Sequence, residues 1–122
     1  MKEKVDLYNN TYGKFTERVL AEVRAEAFGK DIGQNSWITA EEMLKLIQPL
    51  HLSSDSIVLE VACGSGGPAM FVAESTGCKI YGVDSNENAI QTARNLSSQN
   101  QIQFEVADAN QALPFDGAKF DA

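Results

Sequence analysis

Ile57-Val58-Leu59-Glu60-Val61-Ala62-Cys63-Gly64-Ser65-Gly66-Gly67-Pro68-Ala69-Met70-Phe71-Val72-Ala73-Glu74 changes character twice. It starts as an apolar run too short for a helix, passes through a glycine-rich turn, and resumes in a helical pattern that opens on Pro68 and stops at Gly77. The pattern predicts strand, tight loop and helix. Glycine has no Cβ and takes positive φ readily, so such a loop lets a ligand lie against its backbone. Gly64 and Gly66 are the residues expected to keep it clear of side chains.

Gly64-x-Gly66-x-x-Ala69 fits the dinucleotide fingerprint, and the acidic strand end Asp84 follows at about the expected ~20 residues. Three neighbours point away from a pyrophosphate. Glu60 stands immediately before the loop, where a carboxylate repels phosphate but accepts hydrogen bonds from an ammonium group. Pro68 removes one N–H at the helix start and weakens it as an anion cradle. Asp108, in Val106-Ala107-Asp108-Ala109, supplies a third acidic strand end. In open parallel sheets ligands bind outside the carboxyl ends of the strands, so Glu60, Asp84 and Asp108 are expected to share one crevice. The ligand they suit carries positive charge, a ribose and a base.

Val58-Leu59-Glu60-Val61-Ala62-Cys63-Gly64-Ser65-Gly66, Ile80-Tyr81-Gly82-Val83-Asp84-Ser85 and Phe104-Glu105-Val106-Ala107-Asp108-Ala109, followed by Leu113-Pro114-Phe115 and Phe120-Asp121, resemble successive motifs of the class I S-adenosylmethionine-dependent methyltransferases. The resemblance covers roughly residues 56 to 122. It implies an α/β fold with a Rossmann-like parallel sheet, incomplete at three to four strands where the family's full domain has seven, and preceded by helices. S-adenosyl-L-methionine is the implied cofactor. By resemblance, the loop after Glu60, with Ala62, Gly64 and Gly66, lies near the methionine part, Asp84 takes the ribose hydroxyls, Ser85 lies beside the adenine, and Asp108 with the Ala109 backbone meets the adenine edge. The family's first loop glycine is Ala62 here; a methyl group is tolerated there if the backbone angles are ordinary. Gln34, Asn35, Ser36 and Trp37 resemble a segment that precedes these motifs in methyltransferases acting on small amines, where the amino-terminal segment closes over the cofactor. Tyr12, Gln34 and Trp37 are therefore lid candidates, against a plainer reading in which Trp37 packs on the sheet and Gln34 sits in solvent.

Composition narrows the partners. The 122 residues carry a net charge of −7, and nearly all of it lies beyond residue 54. So acidic a surface argues against nucleic acid, whose phosphates need clustered Lys and Arg. Cys63 and Cys78 have neither metal-ligand spacing nor a disulfide framework, and read as reduced thiols of a cytoplasmic protein. There is no signal peptide, no apolar run long enough to span a membrane, and no metal-site pattern. His51, the sole histidine, has no partners at catalytic spacing.

Two units are expected: residues 1–54, a helical segment with a lid, and residues 55–122, the cofactor-binding part, truncated at the fourth strand. In the first, Phe15, Val19, Val23 and Ala27 recur every fourth residue and predict an amphipathic helix over 14–28, ended by Gly29. Thr39-Ala40-Glu41-Glu42 has capping-box spacing and opens a second helix to about Gln48, with Met43, Leu44 and Ile47 on its buried side. In the second unit, Cys78–Asp84 reads as a strand, Ser85 or Asn86 caps a helix with Ala89, Ile90, Ala93 and Leu96 inward, and Ile102, Phe104 and Val106 alternate in a third strand. Strands alternating with helices imply a parallel sheet. Lys119-Phe120-Asp121-Ala122 would start a fourth strand beside the first, and the remaining open edge is expected to pair with a second copy of the chain.

The function these features favour is methyl transfer to a small-molecule acceptor. No catalytic residue is assigned, because the acceptor pocket is expected beyond the fourth strand. The alternative is a cofactor-binding or self-associating fragment without turnover. A NAD-dependent oxidoreductase fragment is the third reading, and Glu60, Pro68 and Asp108 count against it.

Overall fold

The computed structural model describes residues 14, 16–34 and 36–122. The apolar run Ile57–Val61 is a strand, β1, which pairs in parallel with β2, Lys79–Asp84, and β2 pairs in parallel with β3, Ile102–Val106. Sheet order is β1-β2-β3. Among the described residues, four helices precede or link the strands: α1 (Arg18–Phe28), α2 (Ala40–Ile47), α3 (Gly67–Thr76) and α4 (Glu87–Leu96), with a short 3₁₀ turn at Gln48–Leu50.

Register explains the core. Val58 lies opposite Ile80, and Ile80 opposite Ile102, so these residues share one face with Phe104 two positions on. On that face Ile80, Ile102 and Phe104 pack with Ala69, Val72 and Ala73 of α3, Ile90 and Ala93 of α4, and both cysteines. Small residues on the helices allow close approach: Ala73 and Ala93 are wholly buried. Gly82 of β2 is part of the same economy of space. A Cβ there would lie 2.7 Å from Phe104 Cδ1 and 3.0 Å from Cys63 Sγ, so the Phe104 ring uses the room that a side chain would take.

Helix boundaries follow their signals. Thr39 Oγ1 accepts the Glu42 N–H at 3.2 Å while Glu42 returns a carboxylate oxygen to the Thr39 N–H at 2.9 Å, a complete capping box. That backbone bond is the main reason the Glu42 carboxyl is held below its usual range. Asn86, not Ser85, caps α4, its Oδ1 accepting from Ala89 N–H at 2.9 Å. Gly77 ends α3 at φ 77°.

Three expected apolar faces are corrected. Helix α1 begins at Arg18, and its stripe is open to solvent, with Val19 66% and Val23 54% exposed. Phe15 lies outside the described residues. What tethers α1 is charge: Arg24 donates from Nε to Asp31 Oδ1 at 2.8 Å and from a second nitrogen to Oδ2 at 3.2 Å. Burial pushes the Asp31 carboxyl up, but the Arg24 and Gly33 donors outweigh it and leave it below its usual value. Leu44 is exposed because Met43 and Ile47, one turn apart, take the buried side of α2 and leave Leu44 beside it. Leu96, the last residue of α4, is also exposed.

The other face of the sheet carries an aromatic cluster. Tyr81, Phe115 and Phe120 meet edge to face at centroid distances of 5.1–5.7 Å, and Lys119 Nζ lies 3.9 Å from the Tyr81 ring centre. The cluster delivers the following residues to β1. Asp121 N–H donates to the Ile57 carbonyl at 2.7 Å, Leu59 N–H donates to the Ala122 carbonyl at 2.9 Å, and Asp121 Oδ2 accepts the Ile57 N–H at 2.8 Å. Residues 121 and 122 thus run alongside β1 in the position expected for a fourth strand.

The Gly82–Phe104 contact is testable. Gly82→Ala is expected to lower stability by about 2–3 kcal/mol through overpacking, read as a reduced urea midpoint with unchanged slope. Phe104→Leu in the same chain should recover part of that loss, and a double variant as unstable as the sum of the singles would disprove the contact.

Candidate cofactor site

Between β1 and α3 the backbone takes positive φ at every second residue: Ala62 at 59°, Gly64 at 56° and Gly66 at 80°. The residues between them, Cys63 and Ser65, are buried. Cys63 N–H donates to the Val83 carbonyl at 3.0 Å and so continues the β1–β2 ladder into the loop. Asp84 then holds the loop from the neighbouring strand: its Oδ2 accepts the Gly64 N–H and its Oδ1 the Asn86 N–H, both at 2.9 Å.

The backbone at Ala62 is not ordinary. Its left-handed angle costs a residue with a Cβ roughly 1 kcal/mol, which corrects the condition under which the methyl group was to be tolerated. Gly66 has a different reason to be glycine. A Cβ there would lie 2.5 Å from Phe104 Cζ, so Gly66 presses on the core beneath the loop.

Two cavities open on the loop. One, of about 350 Å³, is bounded by Glu60, Ala62, Gly64, Ser65 and Pro68 on one side and by Gly33, Ser36, Ile38 and Met43 on the other. The second, of about 130 Å³, is bounded by Ala62, Asp84, Ser85, Asp108, Ala109 and their neighbours. The structure therefore brings Glu60, Ala62, Gly64, Asp84, Ser85, Asp108 and Ala109 to one end of the sheet, while Gly66 lines neither cavity. Asp108 Oδ1 is engaged by the Asn110 N–H and side-chain amide at 2.9 Å each, which fixes the carboxylate at the rim. A larger groove of about 720 Å³ runs along the outer edge of β3, lined by residues such as Arg94, Gln99 and Glu105, and has neither the glycine loop nor the converging acids.

The electrostatics are one-sided. Among the described residues, no Lys, Arg or His lines either loop cavity. Glu60 Oε2 is sealed from water and has no hydrogen-bond partner, and burial pushes its carboxyl up to about 7. Burial, joined by the nearby Glu60 and Asp84 charges, pushes the Cys63 thiol up to about 12, so Cys63 is an inert thiol and not a nucleophile.

Gly33, Ser36 and Ile38 wall the larger cavity opposite the glycine loop. Asp31, held by Arg24, accepts the Gly33 N–H at 2.8 Å. Gln34 is 1% exposed, not in solvent: its Oε1 accepts the Ile32 N–H at 3.0 Å and its amide donates to the Ile38 carbonyl at 3.1 Å. Its polar atoms are spent on its own loop. The loop rests directly on α3, for a Cβ on Gly67 would overlap the Ile32 and Gly33 carbonyl oxygens. Trp37 is 92% exposed and packs on nothing in the sheet. Tyr12 lies outside the described residues. Gly33, Ile38 and Met43 are cavity residues outside the quoted motifs, and the close fit of Gly67 against the Ile32 and Gly33 backbone is what sets Gly33 beside the glycine loop.

Residues 58–122 match the model of a methyltransferase domain. The chain belongs to the class I S-adenosylmethionine-dependent methyltransferases. It is 30% identical over 101 residues to a sterol 24-C-methyltransferase of Schizosaccharomyces pombe, an alignment covering 80% of this chain and 25% of that one. It is 35% identical over 71 residues to phosphoethanolamine N-methyltransferase 1 of Zea mays, covering 57% and 14%. The PH0226 protein of Pyrococcus horikoshii superposes with a TM-score of 0.54 at 27% identity, over 86% of this chain and 42% of that one. This methyltransferase chain thus spans a quarter or less of the two curated relatives. Among its described residues there is no helix long and apolar enough to cross a membrane and no cluster suited to a metal ion.

Glu60 imposes a pH dependence on the stability of the chain. Its carboxyl sits at about 7 when folded against 4.5 when not, so unfolding releases a proton and stability contributed below pH 4.5 is lost as pH rises through 7. Glu60→Gln removes this loss, and is expected to raise stability by roughly 2 kcal/mol at pH 8 while leaving it nearly unchanged at pH 4.5. Chemical denaturation at the two pH values checks it; an equal shift at both would exclude Glu60 as the source.

Proposed function

We propose that this chain is the cofactor-holding part of a methyltransferase that binds S-adenosyl-L-methionine and serves methyl transfer to a small-molecule acceptor. The observation that carries the reading is the unpartnered, water-excluded Glu60 oxygen at the glycine loop, in a pair of cavities lined, among the described residues, by acids and no base. A buried carboxylate without a partner suits an incoming ammonium group and repels a pyrophosphate. The residues present fit the cofactor from end to end. Glu60 and the Gly64 backbone would hold the amino-acid part in the larger cavity. Asp84 keeps free lone pairs for ribose hydroxyls after accepting its two N–H groups, and Ser85, Asp108 and Ala109 would border the base in the smaller one.

When bound, S-adenosylmethionine supplies a methyl carbon made electrophilic by its sulfonium, so the protein's contribution is orientation and the exclusion of water. Asp84 fixes the loop, Gly33, Ser36 and Ile38 wall the larger cavity, and Glu60 would neutralise the ammonium group. The domain division goes with this: residues 55–122 hold the cofactor, and residues 1–54, including Gln34, Trp37 and Tyr12, supply the lid. The sterol and phosphoethanolamine relatives support a small-molecule acceptor, the acidic surface supports no nucleic-acid partner, and two free thiols support the cytoplasm. A second reading is pairing of β1 with another copy, because β1 is an edge strand of the three-stranded sheet and edge strands present backbone groups that a further chain can pair with.

Calorimetric titration with S-adenosylhomocysteine, with NAD in parallel, tests the reading. Micromolar binding of the first alone is expected, and Asp84→Ala should weaken it by about 1–3 kcal/mol. Binding of NAD alone by the folded chain would replace the methyltransferase reading with the oxidoreductase one.

A further inference from the structure

β3 pairs with β2 on one side only, and the groove of about 720 Å³ runs along the other. The parity of the ladder fixes which backbone groups face that groove. The Gln101 carbonyl accepts the Ile80 N–H at 2.9 Å and the Ala107 N–H donates to the Asp84 carbonyl at 3.0 Å, so odd-numbered residues bond to β2. The N–H and carbonyl groups of Ile102, Phe104 and Val106 therefore turn outward. Two of them are met from within the chain: the Ile102 N–H by the Gln99 carbonyl at a long 3.3 Å, and the Phe104 carbonyl by Arg94 Nε at 2.9 Å. That leaves the Ile102 carbonyl and the N–H groups of Phe104 and Val106 for a strand laid in the groove. The Val106 side chain, 44% exposed, stands at the same edge.

We propose that a second copy of this chain fills the groove by antiparallel pairing of β3 with β3 about a two-fold axis at Phe104, which joins the two sheets into one. Charge favours this meeting point. The chain carries a net −7, yet the groove is lined by one acid, Glu105, and one base, Arg94, so two acidic chains meet where each is locally neutral. Parity selects the register. Pairs that exchange hydrogen bonds must consist of outward-facing residues, which sets Phe104 opposite Phe104 and Ile102 opposite Val106 of the second copy. Val106 thereby gains an apolar neighbour, and the Phe104 carbonyl has a second lone pair beside the one that Arg94 takes. Between those pairs Gln103 faces Glu105 of the second copy, an amide opposite a carboxylate, so no like charges are opposed. The pairing is separate from any at β1, whose edge residues 121 and 122 already line in part, and it does not rest on the cofactor reading.

Sedimentation equilibrium of the whole chain tests it, together with amide exchange followed by NMR. One strand pair buries little surface, so a weak dimer is expected, its mass rising from one copy toward two between about 10 µM and 1 mM. Exchange at the Phe104 and Val106 N–H groups should slow over the same range. Gln103→Glu opposes two carboxylates at both symmetric pairs and is expected to weaken the dimer about 3–10-fold, whereas Gln103→Lys opposes a cation to Glu105 and should tighten it by a similar factor. Gln103 is exposed, so both variants keep the fold. A chain that stays monomeric up to about 1 mM overturns the proposal, and so does a dimer indifferent to both variants. Association that slows exchange at the Val61 N–H and leaves Phe104 unchanged would move the interface to β1 and overturn it as well.

Discussion

The Asp84 carboxylate accepts the Gly64 and Asn86 N–H groups at 2.9 Å each, and through them fastens the end of β2 to the glycine loop on one side and to the start of α4 on the other. The loop depends on this. A chain that leaves a strand and enters a helix within a few residues has no regular hydrogen bonds there, and three alternate residues in left-handed conformation are a path that little else would hold. A charged acceptor makes stronger bonds than a neutral one, which is why an acid at this position stabilises the loop more than an amide would. The same bonds hold the carboxylate at the wall of the smaller cavity, where the proposed cofactor reading uses it. Positioning the loop and presenting the acid are one act, and Asn86, which Asp84 steadies, passes the order on by capping α4.

Glu60 shows the opposite arrangement. It is buried at the end of β1 without a donor, and its environment contains another acid and a thiol but no cation among the cavity residues. Buried polar atoms are nearly always paired, so one that is not calls for a partner from outside the chain. The contrast between the two acids is informative. Asp84 is satisfied by the protein and shapes the site, whereas Glu60 is left unsatisfied by it and so has interaction energy to give to a ligand. Burial raises its carboxyl to about 7, because the charged form is costly there without a partner.

The strands and helices from Ile57 onward were legible in the sequence because each carries its own signal: an apolar run ending in glycines, Asn86 ahead of a helical stripe, alternation through Ile102, Phe104 and Val106. Convergence of Glu60, Asp84, Ser85, Asp108 and Ala109 followed from parallel strands sharing one carboxyl end. What stayed hidden depends on contacts between distant segments. Nothing local says that Gly66 is glycine because of Phe104, or Gly67 because of the backbone at Ile32 and Gly33. Gln34 reads as a surface polar residue until its two bonds to Ile32 and Ile38 are seen. The stripe of α1 misled for the converse reason: periodicity reports what a helix could bury, and an Arg24–Asp31 pair can dock it without burying the stripe.

The two faces of the sheet are built on different principles, and this bears on where an acceptor would meet the cofactor. The helix-covered face is packed with small residues against Phe104 and Ile80 and has no room to spare. The other face carries Tyr81 with Phe115, Phe120 and Lys119, all from the segment that follows β3, in a cluster of edge-on rings and one cation. Those contacts are directional but few, and they bring Asp121 and Ala122 to the free edge of β1. The two loop cavities lie at the end of the strands between these faces, with Gly33, Ser36, Ile38 and Met43 on the packed side of the larger one. The smaller is bordered by Val61 and Ala62, both exposed, and Val61 shares the face that carries Tyr81. An acceptor for a cofactor held there as proposed would therefore approach from the exposed side, because the other side is filled by packing.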